Sequence, residues 1–220
     1  ILPGISHWQH PGWYAYFPAS SSPASLLGEM LTAALGAQCM SWQTSPAATE
    51  LEDLVMDWLR QMLGLPAGMS GVIQDTASTA TLCALLSARE RATGFESNES
   101  GLRRPLTVYV SSETHSSIEK AVKIAGYGRT SLRRVETDAA YAMVPAKLEA
   151  AILADKGRGL QPACVVATLG TTSSTAIDPL RPIGEIAARH GVWLHVDAAY
   201  AGTAAVCRAQ VAVLRALGIR

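Results

Sequence analysis

Charge is scarce in this 220-residue sequence: Asp, Glu, Lys and Arg together make up 16% of it, against about 25% in an ordinary soluble domain. The 18 basic and 18 acidic side chains cancel, so the chain lacks the field that holds nucleic acid or an anionic membrane surface, and neither is expected as a partner. Cysteine is limited to Cys39, Cys83, Cys164 and Cys207. With no C-x-x-C pair and no metal-ligand spacing, these read as reduced thiols in a cytoplasmic protein, without disulfide or metal site. No apolar run approaches the roughly 20 residues that span a bilayer; Ala163 to Leu169 is among the longest. Ile1-Leu2-Pro3-Gly4 does not resemble a signal peptide, and an opening without Met on a Pro/Gly-rich turn leads us to expect a piece upstream. Internal repeats are missing too, as is any G-x-G-x-x-G after a strand, which argues against a nucleotide-binding α/β domain.

What is present is apolar. A 49% share of hydrophobic residues excludes a disordered chain and is enough for a core. With so little charge, part of the surface is expected to be covered by a partner. The first stretch, His7-Trp8-Gln9-His10-Pro11-Gly12-Trp13-Tyr14-Ala15-Tyr16-Phe17-Pro18, is aromatic and aperiodic, so it lines a pocket or an interface, or packs on its own core. From Ser45-Pro46 the period becomes helical, with Leu51, Leu54, Val55, Trp58, Leu59, Met62 and Leu63 on one stripe and a stop at Gly64 and Pro66. Core packing is the expected use of that stripe, a dimer seam the alternative.

Beyond Gly68 short β-rich runs alternate with helical ones, the pattern of stacked βα units around a parallel sheet. Strands are expected near Gly71–Gln74, Leu106–Ser111, Leu132–Glu136, Ala163–Thr168 and Val192–Asp197. Helices are expected near Ala77–Thr93, Ser116–Ala125, Pro145–Lys156 and Pro179–His190, and Gly94–Gly101 reads as a mobile polar loop. The expected organisation is an aromatic and helical segment over residues 1–69, an α/β portion over 70–207 and a divergent tail over 208–220.

In such sheets ligands sit outside the carboxyl ends of the strands, and three corners there carry chemistry. Asp75-Thr76-Ala77-Ser78-Thr79 opens a helix with small hydroxyl residues, as an anion site or a plain N-cap would. At Thr114-His115-Ser116-Ser117 an imidazole stands at a strand-to-helix turn, placed to stack on a flat ring or simply to cap. At His195-Val196-Asp197-Ala198-Ala199 a carboxylate ends a buried strand, where it faces a bound cation or caps the next helix. A phosphate site, a stacking ring and a carboxylate for a protonated ring nitrogen together describe a grip on pyridoxal 5′-phosphate.

With these corners in view the chain resembles the group II pyridoxal-phosphate-dependent amino acid decarboxylases, the aromatic-L-amino-acid decarboxylase family. The likeness runs from about Ile5 to Cys207 and rests on His7-Trp8 with Tyr16-Phe17-Pro18, on Ser45-Pro46-Ala47-Ala48-Thr49-Glu50-Leu51-Glu52, on Thr114-His115-Ser116-Ser117, on Ala167-Thr168-Leu169-Gly170-Thr171-Thr172 and on His195-Val196-Asp197-Ala198-Ala199-Tyr200-Ala201-Gly202. The resemblance implies an α/β fold, part of the large domain of a fold type I, aspartate-aminotransferase-like transferase. It also implies a lyase of amino acid metabolism that splits an aromatic L-amino acid into its amine and CO₂, homodimeric at full length. By the same resemblance Ala77 and Ser78 hold the phosphate, His115 stacks on the pyridine ring and Asp197 pairs with its nitrogen. Thr172 and Ala199 lie beside the cofactor. Trp8, Tyr16, Phe17 and Pro18 line the substrate pocket, and Gln38 and Met40 align with pocket residues that the neighbouring subunit supplies.

Two departures stand out. Asp75 puts a negative charge where many relatives have a small neutral residue. The Schiff-base lysine of the family, in an Asn-Pro-His-Lys segment downstream of the Asp197 strand, is absent, since the lysines here are Lys120, Lys123, Lys147 and Lys156. The expectation is therefore a fragment of the large domain that is inactive by itself; a non-catalytic remnant or a partner-dependent fragment is the alternative.

Overall fold

The structure, a computed structural model, describes residues 1–16 and 21–207. The expected pocket residues Phe17 and Pro18 and the tail at 208–220 lie outside the described residues. Contacts divide the chain into two compact units, Ile1–Asp53 and Leu54–Arg220.

The first unit contains a helix that the sequence reading leaves unassigned, α1 (Pro23–Leu35). Its signals are local. Ser22 and Ser25 form a reciprocal capping box, Pro23 fills the first turn, and Gly36 ends the helix in the left-handed region at φ 58°. Its apolar side chains Leu26, Leu27, Met30, Leu31 and Leu35 are all exposed. Helix α2 (Pro46–Met62) follows the expected stripe, but the expected burial does not occur: none of its residues is buried, and Leu51, Leu54, Trp58 and Met62 stand exposed. An apolar stripe becomes core only where something covers it.

The second unit is built on a parallel sheet of β1 (Leu106–Ser111), β2 (Leu132–Val135), β3 (Gln161–Thr168) and β4 (Trp193–Asp197), in the order β2-β1-β3-β4. Helices α3 (Ala77–Thr93) and α5 (Ser116–Ile124) cover one face, where Leu85, Ile118 and Val122 pack against Val108, Val110, Cys164 and Val166. Helices α6 (Pro145–Gly157) and α7 (Leu180–His190) cover the other, with Leu148, Ile152 and Ile183 against Tyr109, Val165 and Ala167. The sandwiching buries all six residues of β1, the polar Thr107 and Ser111 included. Pro162 offers no N–H to the ladder, and the β1–β3 register shifts just after it, so that Thr107 pairs with Pro162 but Val108 with Cys164.

Two expectations fail here. Gly71–Gln74 forms no strand; Val72 and Ile73 are exposed, and four residues that bury so little have no reason to extend a sheet. The expected mobile loop at Gly94–Gly101 contains a short helix, α4 (Glu96–Ser100), because the Ser97 hydroxyl is buried and donates to Glu90 Oε1 at 2.6 Å.

The Asp155 carboxylate, 0% exposed, accepts from Tyr109 Oη at 2.8 Å and from Arg133 Nε at 2.9 Å, and also pairs with Arg158. Burial pushes its pKa up, but those hydrogen bonds outweigh burial and hold it below the ordinary carboxylate value. Among the described residues no helix is long and apolar enough to cross a membrane.

Candidate functional site

Helix α3 runs opposite to the strands. Near its C-terminal end Gln161, which opens β3, donates to Ala92 O. Near its start Thr81 Oγ1 lies 3.4 Å from His195 Nε2, two residues before β4 ends. The first turn of α3 therefore stands at the carboxyl ends of the strands. The cap there is Thr76, whose hydroxyl accepts from Thr79 N at 3.2 Å, so the exposed Asp75 is not the capping group. Ala77 and Ser78 occupy the first two helical positions, whose N–H groups have no partner within a helix. Their small side chains leave the helix end open to an anion.

His115 is the N-cap of α5: its Nδ1 accepts from Ser117 N at 3.2 Å and lies 2.8 Å from Ser117 Oγ, which fixes the ring's orientation while leaving the residue exposed. Ser117 shares a shallow groove with Ser78, Thr79 and Lys120, so the starts of α3 and α5 are neighbours. Asp197 ends β4. Trp193 packs with the α3/α5 core while Leu194 and Val196 pack with the α6/α7 core, so by alternation His195 and Asp197 face α3 and α5. Asp197 Oδ1 accepts from Ala199 N at 3.2 Å. Ala77, Ser78, His115 and Asp197 thus come together on one face at one end of the sheet.

The loop after β3 is held from beneath. Asp178, 0% exposed, accepts from Met143 N at 2.7 Å and from Thr168 N at 2.8 Å. Burial pushes its pKa up, and the two backbone donors only partly oppose that. Sequence reasoning missed this residue, since nothing in Ile177-Asp178-Pro179 distinguishes a buried acceptor from a surface turn. Thr172 sits exposed at the tip of the same loop, and Ala199 is exposed just past β4. Gly170 has φ 78°, and a Cβ there would lie 2.7 Å from Tyr200 Cδ1 and 2.8 Å from Ala201 Cβ, so only glycine lets the exits of β3 and β4 approach.

In the first unit Trp8 stacks on Trp13 at 5.5 Å and on Tyr16 at 5.4 Å between ring centroids. Trp13 is the member of this trio that the sequence reading did not single out. Tyr16 takes a left-handed backbone at φ 58°. Gln38 and Met40 are exposed after α1. Lys120 and Lys123 lie on α5 and Lys147 and Lys156 on α6, with Lys123 paired to Glu119, Lys147 to Glu136 and Lys156 bonded to His190.

His195 has a measurable signature. Burial pushes its pKa below 6.5, with Asp197 opposing. An unfolded chain therefore takes up this proton near pH 6.5 while the folded one resists it to lower pH, so stability is full above 6.5 and falls as the pH drops below. Thermal melts between pH 8 and 5 should show that loss, and His195→Gln should flatten it; an unchanged slope in the variant would assign the effect elsewhere.

The donor set fits pyridoxal phosphate: open N–H groups and small side chains for a phosphate, an imidazole held for stacking, and a carboxylate for a ring nitrogen. The hydroxyl oxygens of Thr114 and Thr168 at these strand ends are buried without a hydrogen-bond partner among the described residues, as expected of a site built around a polar group. A cavity of about 780 Å³ lies on the opposite face of β4, walled mostly by apolar residues such as Leu59, Leu63, Leu194 and Val196 with Arg181 and Glu185 beside them; among the described residues it has no imidazole and no α-helix start of small residues.

The family model described as "Pyridoxal-dependent decarboxylase conserved domain" matches residues 1–219. Phenylacetaldehyde synthase of Arabidopsis thaliana is 47% identical over 94% of this chain and 44% of its own length. Tryptophan decarboxylase 2 of Oryza sativa subsp. japonica is 47% identical over 94% and 43%. Among solved structures, Oryza sativa TDC with PLP and tryptamine superposes with a TM-score of 0.92 at 40% identity, over 99% of this chain and 46% of that one. Catharanthus roseus tryptophan decarboxylase in complex with L-tryptophan gives 0.91 at 41%, over 99% and 48%. The chain spans less than half the length of these relatives, yet almost all of it is matched. It belongs to the pyridoxal-dependent decarboxylase family.

Proposed function

We propose that this chain is the cofactor-binding part of an enzyme that decarboxylates an aromatic L-amino acid to its amine and CO₂ as a cytoplasmic homodimer. The observation that carries the reading is the meeting of Ala77, Ser78, His115 and Asp197 on one face at the carboxyl ends of parallel strands. Pyridoxal phosphate bound there supplies the electron sink for the pair left when CO₂ departs. The N–H groups of Ala77 and Ser78 bind the phosphate. His115, oriented through Ser117, fixes the ring plane, and Asp197 holds a proton at the pyridine nitrogen, without which the sink weakens. Thr172 and Ala199 close the cofactor's edges. Trp8, Tyr16, Phe17, Pro18, Gln38 and Met40 are assigned to the substrate's ring, supported by the stacked faces of Trp8 and Tyr16. The exposed apolar stripes of α1 and α2 support the dimer.

The test is to give the full-length, cofactor-loaded protein L-tryptophan, L-tyrosine and L-dihydroxyphenylalanine and to measure CO₂ and organic product. Amine and CO₂ in equal amounts from at least one of them is expected. The Arabidopsis relative's name carries a second reading, and an aldehyde in place of the amine would favour it. No turnover of any of the three would remove the substrate assignment.

A further inference from the structure

We propose that Thr168 is a positioning residue of the cofactor site, whose hydroxyl turns to donate to the Asp197 carboxylate when the cofactor is bound and fixes its direction; this rests on the reading of the site given above. Thr168 ends β3 and is the register partner of Asp197 at the end of β4. Its neighbours Ala167 and Leu169 pack with the α6/α7 core, while Cys164 and Val166 pack with the α3/α5 core. By alternation Thr168 faces α3 and α5, the side that Asp197 also faces. Side chains so paired on adjacent strands stand about 5 Å apart at Cβ, within reach of a hydrogen bond after a χ1 rotation.

Three observations say that the hydroxyl has a use. Thr168 is 4% exposed, yet its Oγ1 has no hydrogen-bond partner among the described residues. A buried hydroxyl without a partner costs free energy, whereas valine would fill the same β-branched shape without that cost. The backbone is locked as well: Thr168 N donates to Asp178 Oδ2 at 2.8 Å and Asp178 N donates to Thr168 O at 3.0 Å, so the hydroxyl is presented from a fixed point. Asp197 has room for the bond, because Ala199 N at 3.2 Å is the one hydrogen bond described for its carboxylate, on Oδ1. A carboxylate held by Ala199 on one oxygen and Thr168 on the other cannot swing away from the ring nitrogen it must meet.

The test uses the full-length protein in wild-type, Thr168→Val and Thr168→Ser forms, with cofactor affinity read by titrating the apo-protein with pyridoxal phosphate and apo stability read by thermal melting. A lost hydrogen bond to a charged group predicts a Kd about 10- to 100-fold weaker for Thr168→Val. Thr168→Ser is expected to return to within about threefold of wild type. The apo-protein of Thr168→Val should melt no lower than wild type, since without the cofactor the hydroxyl has no described partner to lose; a purely structural role would lower the melt instead. Equal affinity for Thr168→Val and wild type, or a serine variant as weak as the valine one, would overturn the assignment of Thr168. A wild-type protein that does not bind the cofactor would remove the reading of the whole site.

Discussion

Asp197→Ala in the full-length protein is expected to lose two to four decades in both cofactor affinity and turnover while folding normally. Removing one member of a buried charge pair costs about 3–5 kcal/mol, because the other charge is left without a partner, and 1.36 kcal/mol is one decade. The cost falls on the bound state only. Asp197 is half-buried, and its carboxylate makes one described hydrogen bond, to its own turn, so the apo fold has little to lose. Titration with pyridoxal phosphate and steady-state kinetics would measure the two losses, and circular dichroism would check the fold. A variant that binds and turns over within tenfold of wild type would mean that another group holds the ring nitrogen.

Asp155→Ala should have the reverse effect, a large loss of stability at a distance from the chemistry. The substitution leaves the buried Tyr109 hydroxyl and the partly buried Arg133 guanidinium without their carboxylate. Breaking such a pair costs about 3–5 kcal/mol, a large share of the roughly 5–15 kcal/mol that holds a domain together. Urea denaturation should show the midpoint falling accordingly. Arg158→Ala removes a side chain that is 63% exposed and should cost far less. Equal, small effects from both would show that the network behaves as a surface ion pair.

The regular part of this fold is written in the sequence at short range. Strands β1, β3 and β4 and helices α3, α5, α6 and α7 follow from largely apolar runs and helical period, because burial between two layers demands those patterns. The corners at Ala77, His115 and Asp197 are legible for the same reason: once the strands are placed, the residues after them are the candidates. What stays illegible is set by contacts distant in the chain. Asp178 becomes a buried acceptor only when Met143 and Thr168 arrive beside it. The α2 stripe reads as core although this chain leaves it exposed. Gly71–Gln74 has strand-forming residues without the burial that would make them a strand.

The register shift beside Pro162 decides a matter of parity. Gln161 and Thr168 are seven positions apart, an odd number, so a regular strand would turn them to opposite faces. Yet Gln161 reaches Ala92 on α3, and Thr168 faces α3 and α5 as well. The discrepancy is absorbed at Ala163, which packs on the same side as its neighbour Cys164. One supernumerary residue thus lets an eight-residue strand anchor a helix at its entrance and serve the ligand at its exit on a single face. Substitutions along β3 alter its packing, but an insertion or deletion between Cys164 and Thr168 would reverse which layer its last side chain addresses.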